Sequence, residues 1–217
     1  MSSTSGTTVN PVVPRTLPPP GDPAVQAPSL GEVVRHAFES HAAVMDSTYR
    51  ALGPGIERAG ELLVQSLSKG GIIAWCGNGG SAADAQHLAA ELIGRFKKER
   101  GPLASIALTT DTSILTCVGN DYGYDQVFSR QVQGLLSSKD ILVAISTSGN
   151  SPNVLEAVRV ARAKGITTIG LLGRQGGKLK DEVTLPLVVP SSETAHIQEM
   201  HILIGHILCH MLDYHFS

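Results

Sequence analysis

The apolar positions of this chain change rhythm near residue 70. Ser29-Leu30-Gly31-Glu32 has the form of a helix capping box, a hydroxyl and a carboxylate three positions apart. Behind it, Val33, Val34, Ala37, Phe38, Met45, Tyr49 and Leu52 recur at helical spacing. A second helix is expected over Ile56–Leu67, stopped by Gly70-Gly71. From there short apolar runs alternate with helical stretches. The runs are Ile72–Cys76, Ser105–Leu108, Ile141–Ile145, Thr167–Leu172 and Leu185–Val189. The helical stretches lie at Ala82–Ile93, Thr112–Val118, Gln126–Leu136 and Pro152–Ala163, and a last helix covers His196–Asp213. Nearly continuous Ile/Val/Leu strands separated by helices are what a parallel sheet covered on both faces requires. The pattern predicts one α/β domain over 29–217, with about five parallel strands and extra helices at both ends.

Composition narrows the picture. Residues 1–28 hold seven of the twelve prolines, with Arg15 and Asp22 as their only charges, and read as a disordered Pro/Ser/Thr-rich tail. Across the 217 residues, 17 Lys+Arg stand against 19 Asp+Glu, so no cation surplus points to nucleic acid. No apolar stretch reaches the roughly 18 residues of a membrane span. Cys76, Cys117 and Cys209 are odd in number and form no CxxC. Two of them sit in apolar runs, as buried free thiols do. These features predict a reduced, cytoplasmic protein.

Two strand-to-helix loops carry the candidate chemistry. Gly77-Asn78-Gly79-Gly80-Ser81 follows the first run. Ser146-Thr147-Ser148-Gly149-Asn150-Ser151 follows the third, with Pro152 at the first helical position. In open parallel sheets ligands bind beyond the carboxyl ends of strands. Small residues let the backbone approach a ligand, and a helix N-terminus offers N–H groups to an anion. The hydroxyls of Ser146, Thr147, Ser148 and Ser151 add donors without charge. Neither loop completes a Walker A or GxGxxG pattern, so a small phosphorylated metabolite is favoured over a nucleotide.

His87 and Glu91, at i,i+4, share a helix face and can reach one metal or proton. The last helix carries Gln198, Glu199, His201, His206 and His210, and the spacing alone does not single out a functional histidine.

In sequence order these loops, Asp84-Ala85-Gln86-His87, Glu91, Thr110-Asp111-Thr112, Gly119-Asn120-Asp121-Tyr122-Gly123, Phe128-Ser129-Arg130 and Ile197-Gln198-Glu199 resemble the phosphoheptose isomerases of the sugar-isomerase (SIS) fold. The resemblance runs from about residue 31 to the C-terminus. It implies that Asn78, Gly79, Gly80 and Ser81 line a sugar-phosphate site, that Asn120, Asp121 and Gln198 contact substrate, and that Ser146, Thr147, Ser148 and Ser151 bind phosphate. It implies zinc on His87, Glu91, Gln198 and His206, with Glu91 and His206 as the acid–base pair and Glu91 also touching substrate. His201 and His210 match no catalytic position. The family's reaction is isomerisation of D-sedoheptulose 7-phosphate to D-glycero-D-manno-heptose 7-phosphate, the first step towards nucleotide-activated heptose, carried out by homotetramers. One geometric tension is visible in advance. Gln198 and His206 are eight positions apart, about 12 Å of helix rise and about 80° out of phase. The alternative is a non-catalytic SIS-fold protein of the replication-initiator-binding type, whose members resemble this chain around the glycine loop but lack the carboxylate and the last histidine.

Overall fold

The computed structural model describes residues 27–217. The expected tail, residues 1–28, therefore lies almost wholly outside the described residues. The chain divides into two units at Phe38/Glu39. In the first, the capping box forms: the Ser29 N–H and hydroxyl donate to Glu32 Oε2, and the Glu32 N–H returns to Ser29 Oγ. Leu30, Val33, Val34 and Phe38 are exposed there.

Glu39–Ser217 holds a five-stranded, all-parallel sheet in the order β2-β1-β3-β4-β5. The strands are β1 (Ile73–Gly77), β2 (Ser105–Ala107), β3 (Ile141–Ser146), β4 (Thr167–Gly173) and β5 (Leu185–Val189). Between them run α2 (Gly80–Ile93), α3 (Thr112–Tyr122), α4 (Ser129–Leu135), α5 (Pro152–Ala163) and the short α6 (Leu179–Glu182), and α7 (Thr194–Phe216) closes the chain. Period-two alternation divides the strands between two cores. Ile73, Trp75, Ile141, Val143, Ile145, Ile169 and Leu171 face Leu88, Ile204 and Leu208 of α2 and α7. Ala74, Cys76, Leu142, Ala144 and Leu172 face Val132, Val154 and Val158 of α4 and α5.

The structure departs from the sequence pattern at three places. The two expected N-terminal helices are a single helix, α1 (Leu30–Ser68), with Pro54 inside it. The proline removes one backbone donor. The helix continues because Ile56, Ala59 and Leu63 bury the next turns. The stretch expected as one helix over Gln126–Leu136 is a 3₁₀ turn (Tyr124–Gln126) followed by α4. Helix α3 runs one turn past Val118, so Asn120 and Asp121 are helical.

The connection leaves β1 towards β2 on one side and towards β3 on the other. That reversal makes a crevice between the carboxyl ends of β1 and β3. Gly77 pairs in register with Ile145 there, which brings both candidate loops to the same crevice.

Candidate active site

The two loops are tied together by a residue that motif reading passed over. Asn78 Nδ2 donates to Asn153 Oδ1 at 2.8 Å, and Asn153 Nδ2 donates to Asn78 Oδ1 at 2.9 Å. Asn153 is buried in the first turn of α5. The Tyr124 hydroxyl also donates to Asn78 Oδ1, at 3.3 Å. This brings the segment after α3 to the glycine loop. Asn120 and Asp121, just before it, are exposed and bonded to each other (Nδ2 to Oδ1, 2.8 Å). A buried asparagine was the available signal, but one Asn inside an ordinary helical stretch carries no such mark in sequence.

The serine loop is wound around its own hydroxyls. Ser146 Oγ and Ser151 Oγ lie 3.1 Å apart, the Gly149 N–H donates to Ser146 Oγ, and the Asn150 N–H donates to Ser148 Oγ. Ser151 is the N-cap of α5, yet its hydroxyl does not cap the helix. The first-turn N–H groups are thus not covered by the serine side chain, the arrangement an anion needs. At the other loop the Ser81, Ala82 and Ala83 N–H groups donate to Asn78 and Gly79 carbonyls. The α2 N-terminus is accordingly closed on itself.

Gly149 has φ +65°, and a Cβ there would strike the Gly176 carbonyl. The segment after β4 packs on the serine loop at that point: the Leu179 N–H donates to Gly149 O and the Lys178 N–H to Asn150 Oδ1. Gly176 and Gly177 were not singled out from sequence, because their glycine pair reads as an ordinary turn.

Helices α2 and α7 run side by side in the same direction. Gly80 meets the Gln198 amide, Gly205 leaves room for Leu88, and two turns past Gly80 His87 meets His206. Positions 80, 84, 87 and 91 make one stripe of α2. On it His87 Nε2 lies 3.1 Å from Glu91 Oε1 and 3.5 Å from His206 Nε2. One donor atom each from His87, Glu91 and His206 lies within 4.8 Å of the others. Two imidazole nitrogens and a carboxylate oxygen at these separations match the donor types and spacing of a zinc site. The Gln198 amide lies against Gly80.

The surroundings fix the trio. The His206 ring stacks on Phe96 at 5.1 Å. Burial, then the neighbouring His87, lower its pKa, with Lys97 adding to the effect and Glu91 opposing it. Asp84, on the same stripe, has a buried Oδ2 without a partner among the described residues. Burial raises its pKa, moderated by His87. Behind Glu91, the buried Arg100 guanidinium donates to the Glu91 and Leu92 carbonyls and to Asp213 Oδ1 of α7 at 2.7 Å. Asp213 also accepts the Lys97 and Lys98 N–H groups. Losing one partner of such a buried pair costs about 3–5 kcal/mol, so Arg100 clamps the end of α2 to α7. His201 is buried and donates to the Leu172 carbonyl, and His210 lies against Phe96 and Tyr214.

Residues 37–173 match the SIS domain family model. The chain is 54% identical over 176 residues to a phosphoheptose isomerase of Aliarcobacter butzleri, covering 81% of this chain and 93% of that one. The chain belongs to the phosphoheptose isomerase family. The phosphoheptose isomerase structure from Neisseria gonorrhoeae superposes with a TM-score of 0.81 at 46% identity, over 86% of this chain and all of that one. The one from Francisella tularensis gives 0.83 at 41% identity, over 86% and 99%. Members of this family are aldose–ketose isomerases, and the SIS fold of this member is the five-stranded parallel sheet described above.

Proposed function

We propose that the chain isomerises D-sedoheptulose 7-phosphate to D-glycero-D-manno-heptose 7-phosphate, the first step towards nucleotide-activated heptose. The observation that carries this reading is Glu91 facing two imidazoles, one on α2, which starts at the glycine loop, and one on α7 packed beside it. The presence of both Glu91 and His206 argues against a binding protein that lacks the acid–base pair.

In this reading the phosphate sits at the N-terminus of α5, held by Ser146, Thr147, Ser148 and Ser151. The sugar lies along Asn78, Gly79, Gly80 and Ser81, with Asn120 and Asp121 at its edge. The reaction moves a proton from C1 to C2 and a hydroxyl proton from O1 to O2, through an enediol. Glu91 is the carbon base. Its Oε1 lies with His87, and Oε2 makes no hydrogen bond among the described residues, so one oxygen is available for C1. His206, kept neutral near pH 7 by its lowered pKa, moves the proton between the sugar oxygens.

We assign zinc to His87, Glu91 and His206. When bound, the ion polarises the sugar carbonyl and stabilises developing negative charge. The family resemblance makes Gln198 a fourth ligand. With its amide against Gly80 in this chain, we assign it to the substrate rather than to the ion.

We further propose a cytoplasmic homotetramer. Three free cysteines suit a reducing compartment, and no helix among the described residues is long and apolar enough to cross a membrane. Met45 and Tyr49 of α1 are exposed, and a groove of about 620 Å³ lined by Tyr49, Pro54, Ile207 and Met211 offers an apolar face to further copies.

The test is an NMR assay with sedoheptulose 7-phosphate in D₂O, with and without zinc. Aldose 7-phosphate carrying solvent deuterium at C2 is expected. A folded oligomer that neither forms product nor exchanges deuterium overturns the reading.

A further inference from the structure

A second group of metal-type ligands lies outside the active site. His41 Nδ1 of α1 is 2.7 Å from Glu199 Oε2 of α7, and His196 Nδ1 is 2.9 Å from the same oxygen. One donor from each residue lies within 4.8 Å of the other two. His196 and Glu199 are one turn apart on α7, so they present their donors from one face. His41 closes the group from a separate helix. Glu199 and His206 are seven positions apart, about 10 Å along α7, so this group is distinct from the trio at His206.

We propose that His41, His196 and Glu199 form a second binding site for a divalent transition-metal ion of the zinc type. Two imidazole nitrogens and one carboxylate oxygen are a common three-protein-ligand set for zinc. The ion replaces the two Nδ1 protons that otherwise bridge each ring to the carboxylate. Ligand bonds of about 2.0–2.1 Å set neighbouring donors about 3.3 Å apart, so the donors open by about half an ångström to admit it. That adjustment lies within side-chain freedom at this site, because the His41 and Glu199 side chains are 39% and 44% exposed. The same exposure gives the ion an entry path and leaves a coordination position for water. The ion ties α1 to α7 at this point. The proposal does not depend on the isomerase chemistry.

The experiment strips the full-length protein with a chelator and titrates zinc back against a chromophoric chelator, with Tm read in parallel. Two zinc equivalents per chain are expected. His41→Ala and Glu199→Gln should each lose one equivalent and the matching part of the zinc-induced rise in Tm, while His87→Ala loses the other. Cobalt(II) substitution of His87→Ala should retain a d–d absorption that His41→Ala/His87→Ala lacks. A single wild-type equivalent that His87→Ala abolishes and His41→Ala leaves in place, or two equivalents in folded His41→Ala, overturns the second site. If His87→Ala leaves both equivalents in place, the active-site zinc fails instead, so the two assignments stand or fall separately.

Discussion

Asn78 and Asn153 exchange two amide hydrogen bonds, at 2.8 and 2.9 Å, across the crevice between β1 and β3. The pair joins the glycine loop, proposed above to line the sugar, to α5, whose N-terminus is proposed to hold the phosphate. It also fixes which way each amide points, because an oxygen on one side must meet a nitrogen on the other.

Asn153→Ala breaks this coupling and leaves the Asn78 amide short of partners. Removing these two hydrogen bonds frees the glycine loop from the start of α5, so kcat/KM should fall by roughly 10-fold, mainly through KM. Steady-state kinetics beside a thermal melt check this. An unchanged KM would mean that the loops keep their relative position without the pair.

Glu91→Gln keeps the size of the side chain and removes the base. Loss of a positioned general base costs about 10²–10⁴-fold, and turnover should fall by at least that much with the fold and oligomer intact. Solvent-deuterium exchange at C1 and C2 is the direct readout. Exchange at the wild-type rate in this variant would assign the proton transfer to another group.

Gly149→Ala tests the serine loop from its backbone. The φ of +65° alone costs an L-residue about 1–2 kcal/mol, and the added Cβ runs into the Gly176 carbonyl. The loop must shift, so KM for the phosphorylated sugar should rise by about 10-fold or more. The zinc binding proposed for His87, Glu91 and His206, on other helices, should not change. A wild-type KM would separate the phosphate site from this loop.

The sheet was legible because its central strands are buried on both faces, so Ile141–Ile145 reads as an unbroken apolar run. The loops were legible for a related reason: glycines and hydroxyls clustered between a strand and a helix have few other uses. What stayed hidden depends on contacts remote in sequence. Asn153 meets Asn78 across 75 positions, and Gly176 meets Gly149 only after β4 has been laid down. The break expected before Ile56 is absent, and Pro54 lies inside α1. Its local penalty is real, but burial of Ile56, Ala59 and Leu63 outweighs it and α1 passes through. The tension between Gln198 and His206 was visible from helix geometry alone. The described chain has the amide at Gly80 and the imidazole at His87, two turns apart on α2.

His201 supplies a prediction about stability rather than activity. It is wholly buried between α7 and β4, donates Nε2–H to the Leu172 carbonyl, and leaves Nδ1 without a partner among the described residues. Burial pushes its pKa down to about 4 from an ordinary 6.5, with the hydrogen bond to Leu172 opposing the shift. Between those two values the unfolded chain takes up a proton at this position and the folded chain does not. Stability is therefore complete above about pH 6.5 and is lost as pH falls towards 4, by about 3 kcal/mol in all. His201→Gln retains a donor for the Leu172 carbonyl and cannot titrate in this range. Urea unfolding of both proteins at pH 7 and pH 4.5, with a chelator present to remove any metal contribution, isolates the effect. The wild-type chain should lose about 2–3 kcal/mol more than the variant over that interval; equal losses would show that the folded protein accepts a proton at His201 as readily as the unfolded one.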